Sequence, residues 1–195
     1  TQYQSEAELL SALNVDAVYL SSPTGVHYEQ INKCLDAGKS VLVEKTALPC
    51  LKKTQELISK AESKGLTIME AFMYRFHKQF TELKKLIINK KYGNVIKIEC
   101  EFGFPHLASD NIRYQKKLCG GATFDVGAYT LSSVRQLLGH KTKVQWAKIL
   151  TFSEFEVDTS GWASLTAGDA VANCSWNFGG SYSNKIRVWC ENGHI

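Results

Sequence analysis

The chain has 195 residues, 44% hydrophobic and 11% aromatic, with only 3 prolines, so it can bury a full-sized core; disorder, collagen and low-complexity classes are excluded. Its formal net charge of +4 comes from 23 basic and 19 acidic residues, and the basic ones are scattered over helical stretches, which argues against a nucleic-acid partner. No apolar run approaches the roughly 18 residues of a membrane-spanning helix and the opening Thr1-Gln2-Tyr3-Gln4-Ser5 is polar, so a soluble, cytoplasmic protein with no membrane partner is expected.

Ser5-Glu6-Ala7-Glu8 is a capping box that opens a short helix running through Leu13 and ended by Asn14. Ala17-Val18-Tyr19-Leu20 is an apolar run too short for a helix, and it reads as a parallel strand buried on both faces. The pattern repeats with a helix from Val26 to Ala37 stopped by Gly38 and a strand from Ser40 to Val43. A helix from Leu51 to Lys64 stopped by Gly65 and a strand from Leu66 to Met69 come next. This alternation predicts βαβ units of a doubly wound parallel sheet with helices on both faces, although no G-x-G-x-x-G turn is present for a dinucleotide.

A helix from Gln79 to Asn89 and the turn Lys91-Tyr92-Gly93-Asn94 lead to a change of character. Val95 to Phe102 alternates as a half-exposed strand does. A helix from Thr123 to Leu138 is closed by Gly139, and four strand-like stretches come after it at Val144–Phe155, Trp162–Thr166, Ala170–Trp176 and Lys185–Cys190. The expected fold class is α/β: a partial Rossmann-type parallel sheet over residues 1–76, then an α/β domain with a mostly antiparallel sheet over residues 77–195.

The six cysteines, at positions 34, 50, 100, 119, 174 and 190, form no C-x-x-C pair, and the five histidines do not cluster. Neither a metal site nor a disulfide framework is expected; small buried hydrophobes and reduced thiols fit the spacing.

Three segments can carry chemistry. Ser22-Pro23-Thr24-Gly25-Val26-His27 and Val43-Glu44-Lys45-Thr46 lie just past the carboxyl ends of parallel strands, where open α/β sheets bind ligands. Lys45 is either a positioned cation or a surface lysine that snorkels, and Glu44 is either an ordinary strand-end carboxylate or the partner that holds it. In Gly120-Gly121-Ala122-Thr123-Phe124-Asp125-Val126-Gly127-Ala128-Tyr129, the paired glycines permit close backbone approach or positive φ, and Asp125 and Tyr129 stand i, i+4 on one helix. Tyr129 is either a core phenol or an acid/base whose pKa a nearby cation such as Lys45 would lower.

Taken in register with Glu70-Ala71-Phe72-Met73-Tyr74-Arg75-Phe76-His77, these segments resemble the Gfo/Idh/MocA family of NAD(P)-dependent oxidoreductases over nearly the whole chain. Tyr129 stands where much of the family has histidine, which is similar to the glucose–fructose oxidoreductase, dihydrodiol dehydrogenase and sugar ketoreductase branch. The resemblance implies that Lys45, Tyr129 and Asp125 are catalytic, with Tyr129 as acid/base, Lys45 bonding the reacting hydroxyl and Asp125 positioning the substrate. It further implies that Pro23, Thr24, His27, Glu44, Lys45 and Arg75 border the cofactor, NAD or NADP. The implied reaction is hydride transfer between nicotinamide and a secondary alcohol or ketone of a sugar or cyclic diol, by a homo-oligomer built through the second sheet. A non-catalytic scaffold that keeps the family fold is the alternative. In the family pattern the first strand, the glycine turn and the ribose-binding acid precede Thr1, and more sheet lies beyond Ile195, so both ends are expected to be cut. Thr46 stands where the family has proline, which makes a cis peptide costly by about 2.5–4 kcal/mol and predicts a different aim for Lys45.

Overall fold

In the computed structural model, which describes residues 2–195, Ser5 caps helix α1 (Glu6–Ser11) by accepting from the Glu8 amide at 3.2 Å. Glu8 reaches back one residue further than the capping box predicts, to the Gln4 amide at 2.8 Å. The helix stops at Ala12, where the buried Lys39 ammonium bonds the Ala12 carbonyl at 2.8 Å; the predicted extension through Leu13 does not form.

Strands β1 (Ala17–Leu20), β2 (Ser40–Val43) and β3 (Ile68–Glu70) form a parallel sheet in the order β1-β2-β3, joined by α2 (Thr24–Asp36) and α3 (Leu51–Ser63). Val18, Val41 and Val43 are buried in one core with Ile31, Cys34 and Leu35 of α2 and Leu57 and Ala61 of α3. The expectation that β1 is buried on both faces does not hold. Tyr19, Leu42 and Met69 lie in register in one row on the opposite face, and Tyr19 is 55% exposed. Two successive right-handed crossovers stepping in the same direction across a sheet place both helices on the same side, and the period of two sends alternate side chains to the other.

The second core is separate and larger, so the chain divides into two compact units. One holds the residues up to Phe72 together with Lys117–Cys119; the other holds Met73–Lys116 and Gly120–Ile195. The division falls four residues before the 76/77 boundary expected from sequence, because the 3-10 turn Met73–Phe76 packs into the second unit. The Tyr74 hydroxyl pairs with Ser132 at 2.7 Å, and its ring meets Phe80 of α4 (Lys78–Ile88) edge-on at 4.8 Å.

The second unit is built on six strands: β4 (Val95–Phe104), β5 (Lys143–Leu150), β6 (Ser160–Ala167), β7 (Ala170–Phe178), β8 (Ser183–Cys190) and β9 (Gly193–His194). Their order is β5-β6-β7-β4-β8-β9, and only β4 and β7 run parallel. Helix α5 (Ala128–Leu138) covers one face, over Ile98, Cys100, Ala172, Cys174, Trp176 and Val188. The strand predicted from Val144 to Phe155 ends at Leu150, and a loop over 151–159 leads to β6.

Candidate functional site

In the first unit, the loops after β1 and β2 are tied together by backbone carbonyls. The Thr46 carbonyl accepts from the Thr24 hydroxyl at 3.0 Å and faces His27 Nδ1 at 3.2 Å. The same nitrogen faces the Ala47 carbonyl at 3.1 Å, and Nε2 faces the Ser22 carbonyl at 2.7 Å. His27 is fully buried, and all three of these neighbours are backbone oxygens, so its ring staples one strand-end loop to the other. The resemblance puts His27 along the cofactor; in the fold its ring anchors the loops that follow β1 and β2.

The Lys45–Thr46 peptide is cis, against the expectation drawn from Thr46. Glu44 accepts from the Tyr19 hydroxyl at 2.5 Å, and the Lys45 amide lies 3.3 Å from Glu44 Oε2. The Glu44 carboxylate beside it raises the Tyr19 phenol above its ordinary pKa. Glu70, at the end of β3, accepts from the Ala47 amide at 2.8 Å and holds the same loop from the other side. Pro23 is the N-cap of α2, with φ −66°. At Gly25 a Cβ would stand 2.7 Å from the Lys117 carbonyl oxygen, so only glycine lets that segment lie on the first turn of α2.

In the second unit, the paired glycines serve two different approaches. A Cβ on Gly120 would lie 2.4 Å from the Arg113 carbonyl oxygen, and one on Gly121, whose φ is +115°, would lie 2.3 Å from Asp158 Oδ1. The helix predicted from Thr123 begins with a π turn, Thr123–Gly127, before α5. An extra residue per hydrogen-bonded turn removes the simple i, i+4 alignment of Asp125 with Tyr129.

Asp125 is paired with Arg113, whose Nε donates at 2.7 Å; the carboxylate is largely covered and the guanidinium half-exposed. Arg113 also lies 5.9 Å from the centre of the Phe104 ring. Tyr129 stands among aromatic edges, with Phe102 at 5.5 Å and Tyr74 at 6.1 Å between ring centres, and its hydroxyl donates toward Met73 Sδ at 3.4 Å. Tyr182, well exposed, meets Phe102 edge-on at 6.4 Å and extends this aromatic wall. Burial raises the Tyr74 phenol pKa above its ordinary value.

Of the site residues expected from sequence, Pro23, Thr24, His27, Glu44 and Lys45 share the cross-tied loops of the first unit, and Asp125, Tyr129 and Arg75 belong to the second. Arg75 lines a hollow of about 270 Å³ with Phe76, Phe80, Thr81, Lys84 and Gln136. Arg113, Asp158 and Glu70 were not foreseen. The strand-end rule that singled out Glu44 could have found Glu70; the other two lie in irregular segments with no local signal. Among the described residues, no group of three or more His, Cys, Asp or Glu side chains is placed to hold a metal ion, all six cysteines are free, and no helix is long and apolar enough to cross a membrane.

Two family models match the chain: an oxidoreductase family with NAD-binding Rossmann fold over residues 1–72, and a GFO/IDH/MocA C-terminal domain over residues 80–195. The chain is 32% identical over 188 residues to a dTDP-3,4-didehydro-2,6-dideoxy-alpha-D-glucose 3-reductase of Saccharopolyspora spinosa, covering 96% of this chain and 57% of the relative. It is 33% identical over 199 residues to D-xylose 1-dehydrogenase (NADP(+)) 2 of Haloferax volcanii, covering 100% of this chain and 60% of the relative. The crystal structure of KijD10, a 3-ketoreductase from Actinomadura kijaniata in complex with NADP and TDP-benzene, superposes with a TM-score of 0.92 at 28% identity, covering 98% of this chain and 59% of that one. The chain thus spans 57–60% of the length of these curated relatives. With both halves of its sequence matched, and a parallel βαβ unit leading into a mixed sheet, the chain belongs to the GFO/IDH/MocA oxidoreductase family.

Proposed function

We propose that this chain serves an NAD(P)-dependent oxidoreductase activity that interconverts a secondary alcohol and a ketone on a sugar or cyclic diol. The observation that carries the reading is the presence, in one chain of this family, of Lys45 on the loop after β2 and Tyr129 at the head of α5. Each stands on backbone anchored by side-chain hydrogen bonds. Relatives that reduce a dideoxy ketosugar or oxidise xylose, and a Xenopus laevis trans-1,2-dihydrobenzene-1,2-diol dehydrogenase at 34% identity over 132 residues, support the substrate class.

The loops at the carboxyl ends of β1 and β2 fit the nicotinamide half of a dinucleotide: they are cross-tied into one rigid rim, and Thr24 opens a helix beside it. Pro23, Thr24, Glu44 and Lys45 would line that rim, with His27 holding it from beneath. When bound, the nicotinamide supplies or accepts the hydride. Lys45 bonds the reacting oxygen and lowers the cost of negative charge on it. Tyr129 gives its phenolic proton to that oxygen in reduction and takes it back in oxidation. Asp125, held by Arg113, fixes a substrate hydroxyl, and the edges of Phe102 and Tyr182 suit the apolar face of a ring.

The open face of the second sheet presents Trp146 and Trp162 around a concavity of about 890 Å³ with Glu99, Glu101, Lys185 and Arg187, which supports self-association there. Six unpaired thiols suit a reducing, cytoplasmic setting. Titration with NADH and NADPH, read by nicotinamide fluorescence, tests the cofactor role, with Lys45→Ala as the weakened control. Turnover of xylose, ketosugars and arene dihydrodiols should fall about 10²–10⁴-fold in Tyr129→Phe. A folded chain that binds neither nucleotide would leave the scaffold role in its place.

A further inference from the structure

We propose that Asp158 is a positioning residue for Tyr129, acting on the helix start that aims it; this rests on the acid/base role assigned to Tyr129 above. Asp158 lies in the loop between β5 and β6, and three groups at the beginning of the π turn converge on it. Its Oδ2 accepts from both the amide and the hydroxyl of Thr123, each at 2.7 Å, and its carbonyl accepts from the Ala122 amide at 2.8 Å. The missing side chain of Gly121 makes room for Oδ1.

The first turn of a helix has amide groups without partners inside the helix, and a local Ser, Thr, Asp or Asn usually accepts from one of them. Ala122 offers no such side chain, so the acceptor is delivered from 35 residues downstream. The Thr123 hydroxyl passes the link to the sheet by accepting from Trp176 Nε1 at 3.1 Å. Trp176 is in turn buried between Gly127 and Gly161, where a Cβ on either would touch its ring closer than van der Waals contact.

What this anchoring controls is direction. Side chains advance about 100° per residue around an α-helix of 3.6 residues per turn, so a first turn that drops its π bond re-aims everything after it. Tyr129 begins two residues past the π turn, with its ring set between Phe102 and Tyr74 and its hydroxyl at Met73. A one-residue slip at the start of α5 would swing the phenol out of that setting.

The test compares the wild-type chain with Asp158→Ala, Asp158→Asn, Tyr129→Phe and the Asp158→Ala/Tyr129→Phe double variant. Misplacement of a reacting group costs about 10²-fold, so Asp158→Ala should lower kcat by about that factor with little change in KM. Asp158→Asn keeps an oxygen for both Thr123 donors and should recover most of the turnover. In the Tyr129→Phe background, Asp158→Ala should cost little more, since its effect runs through the phenol. An equal loss in both backgrounds, or an Asp158→Ala chain as active as wild type, overturns the proposal; a Tyr129→Phe chain as active as wild type overturns the acid/base reading instead. If the wild-type chain turns over no substrate, hydrogen exchange decides. The amides of residues 123–129 should exchange faster in Asp158→Ala than in wild type or Asp158→Asn, and unchanged exchange refutes the anchor.

Discussion

Gly161 and Trp176 face each other across β6 and β7, and the indole lies over the glycine because nothing projects from it. A Cβ at position 161 would stand 2.5 Å from Cζ2, 2.6 Å from Cε2 and 2.7 Å from Nε1 of that ring. Carbon pairs rest at about 3.5–4.0 Å, so in Gly161→Ala the ring must retreat by about 1 Å. Retreat has little room, because the Gly127 backbone also packs on the ring, closely enough that a Cβ there would lie 2.9 Å from Cδ2, and Trp176 is only 3% exposed. Overpacking by one methyl costs about 1–3 kcal/mol, and a ring packed against both glycines puts this case in the upper half of that range. At about 2–4 °C per kcal/mol for a chain of this size, the second unit should melt roughly 4–12 °C earlier, read by near-ultraviolet circular dichroism. Gly38→Ala is the control: φ is +72° with nothing within 4 Å, so the penalty is conformational only, about 1–2 kcal/mol, and falls on the first unit. Trp176→Leu should relieve much of the Gly161→Ala loss, because the two clash with each other. A Gly161→Ala protein no less stable than Gly38→Ala would refute this packing.

Buried groups give four more expected outcomes. Cys34, Cys100, Cys174 and Cys190 are buried, and burial raises each thiol, Cys174 to about 12, so Ellman's reagent at pH 8 should label Cys50 and Cys119 first and the other four only on unfolding. The folded chain keeps those protons while an unfolded thiol releases its own near 9.0, so their stabilisation is complete below pH 9 and drains away as the pH rises toward 12; urea midpoints should fall over that window, less steeply in Cys174→Ala. The Thr159 hydroxyl is buried with no hydrogen-bond partner among the described residues, so Thr159→Val should leave stability unchanged or raise it by about 1 kcal/mol, and a loss of more than about 1 kcal/mol would show a partner had been removed. His27→Ala empties a fully buried site and removes the ring that faces the Ser22, Thr46 and Ala47 carbonyls, of which Thr46 keeps the Thr24 hydroxyl; this should cost the first unit about 2–4 kcal/mol in thermal unfolding, and a change below about 0.5 kcal/mol would contradict the staple.

Much of the framework was legible one residue after another. Gly38, Gly65 and Gly139 end helices at positive φ where the pattern places them, and the apolar runs at Ala17–Leu20 and Ser40–Val43 are strands. These features are local, set by side-chain period and by bonds within a few residues, so a linear reading reaches them. The loops at the strand ends are legible too, since parallel sheets bring their ligand loops to one edge. Distant pairings had no such signature. Nothing near Thr123 announces that its cap comes from Asp158, and nothing near Asp125 points to Arg113. The burial of His27 among carbonyls, the exposure of Tyr19 and the parallel pairing of β4 with β7 arise only when segments far apart in the chain meet. A pattern read along the chain records which groups need partners; which partners they find is decided by the packing of the folded molecule.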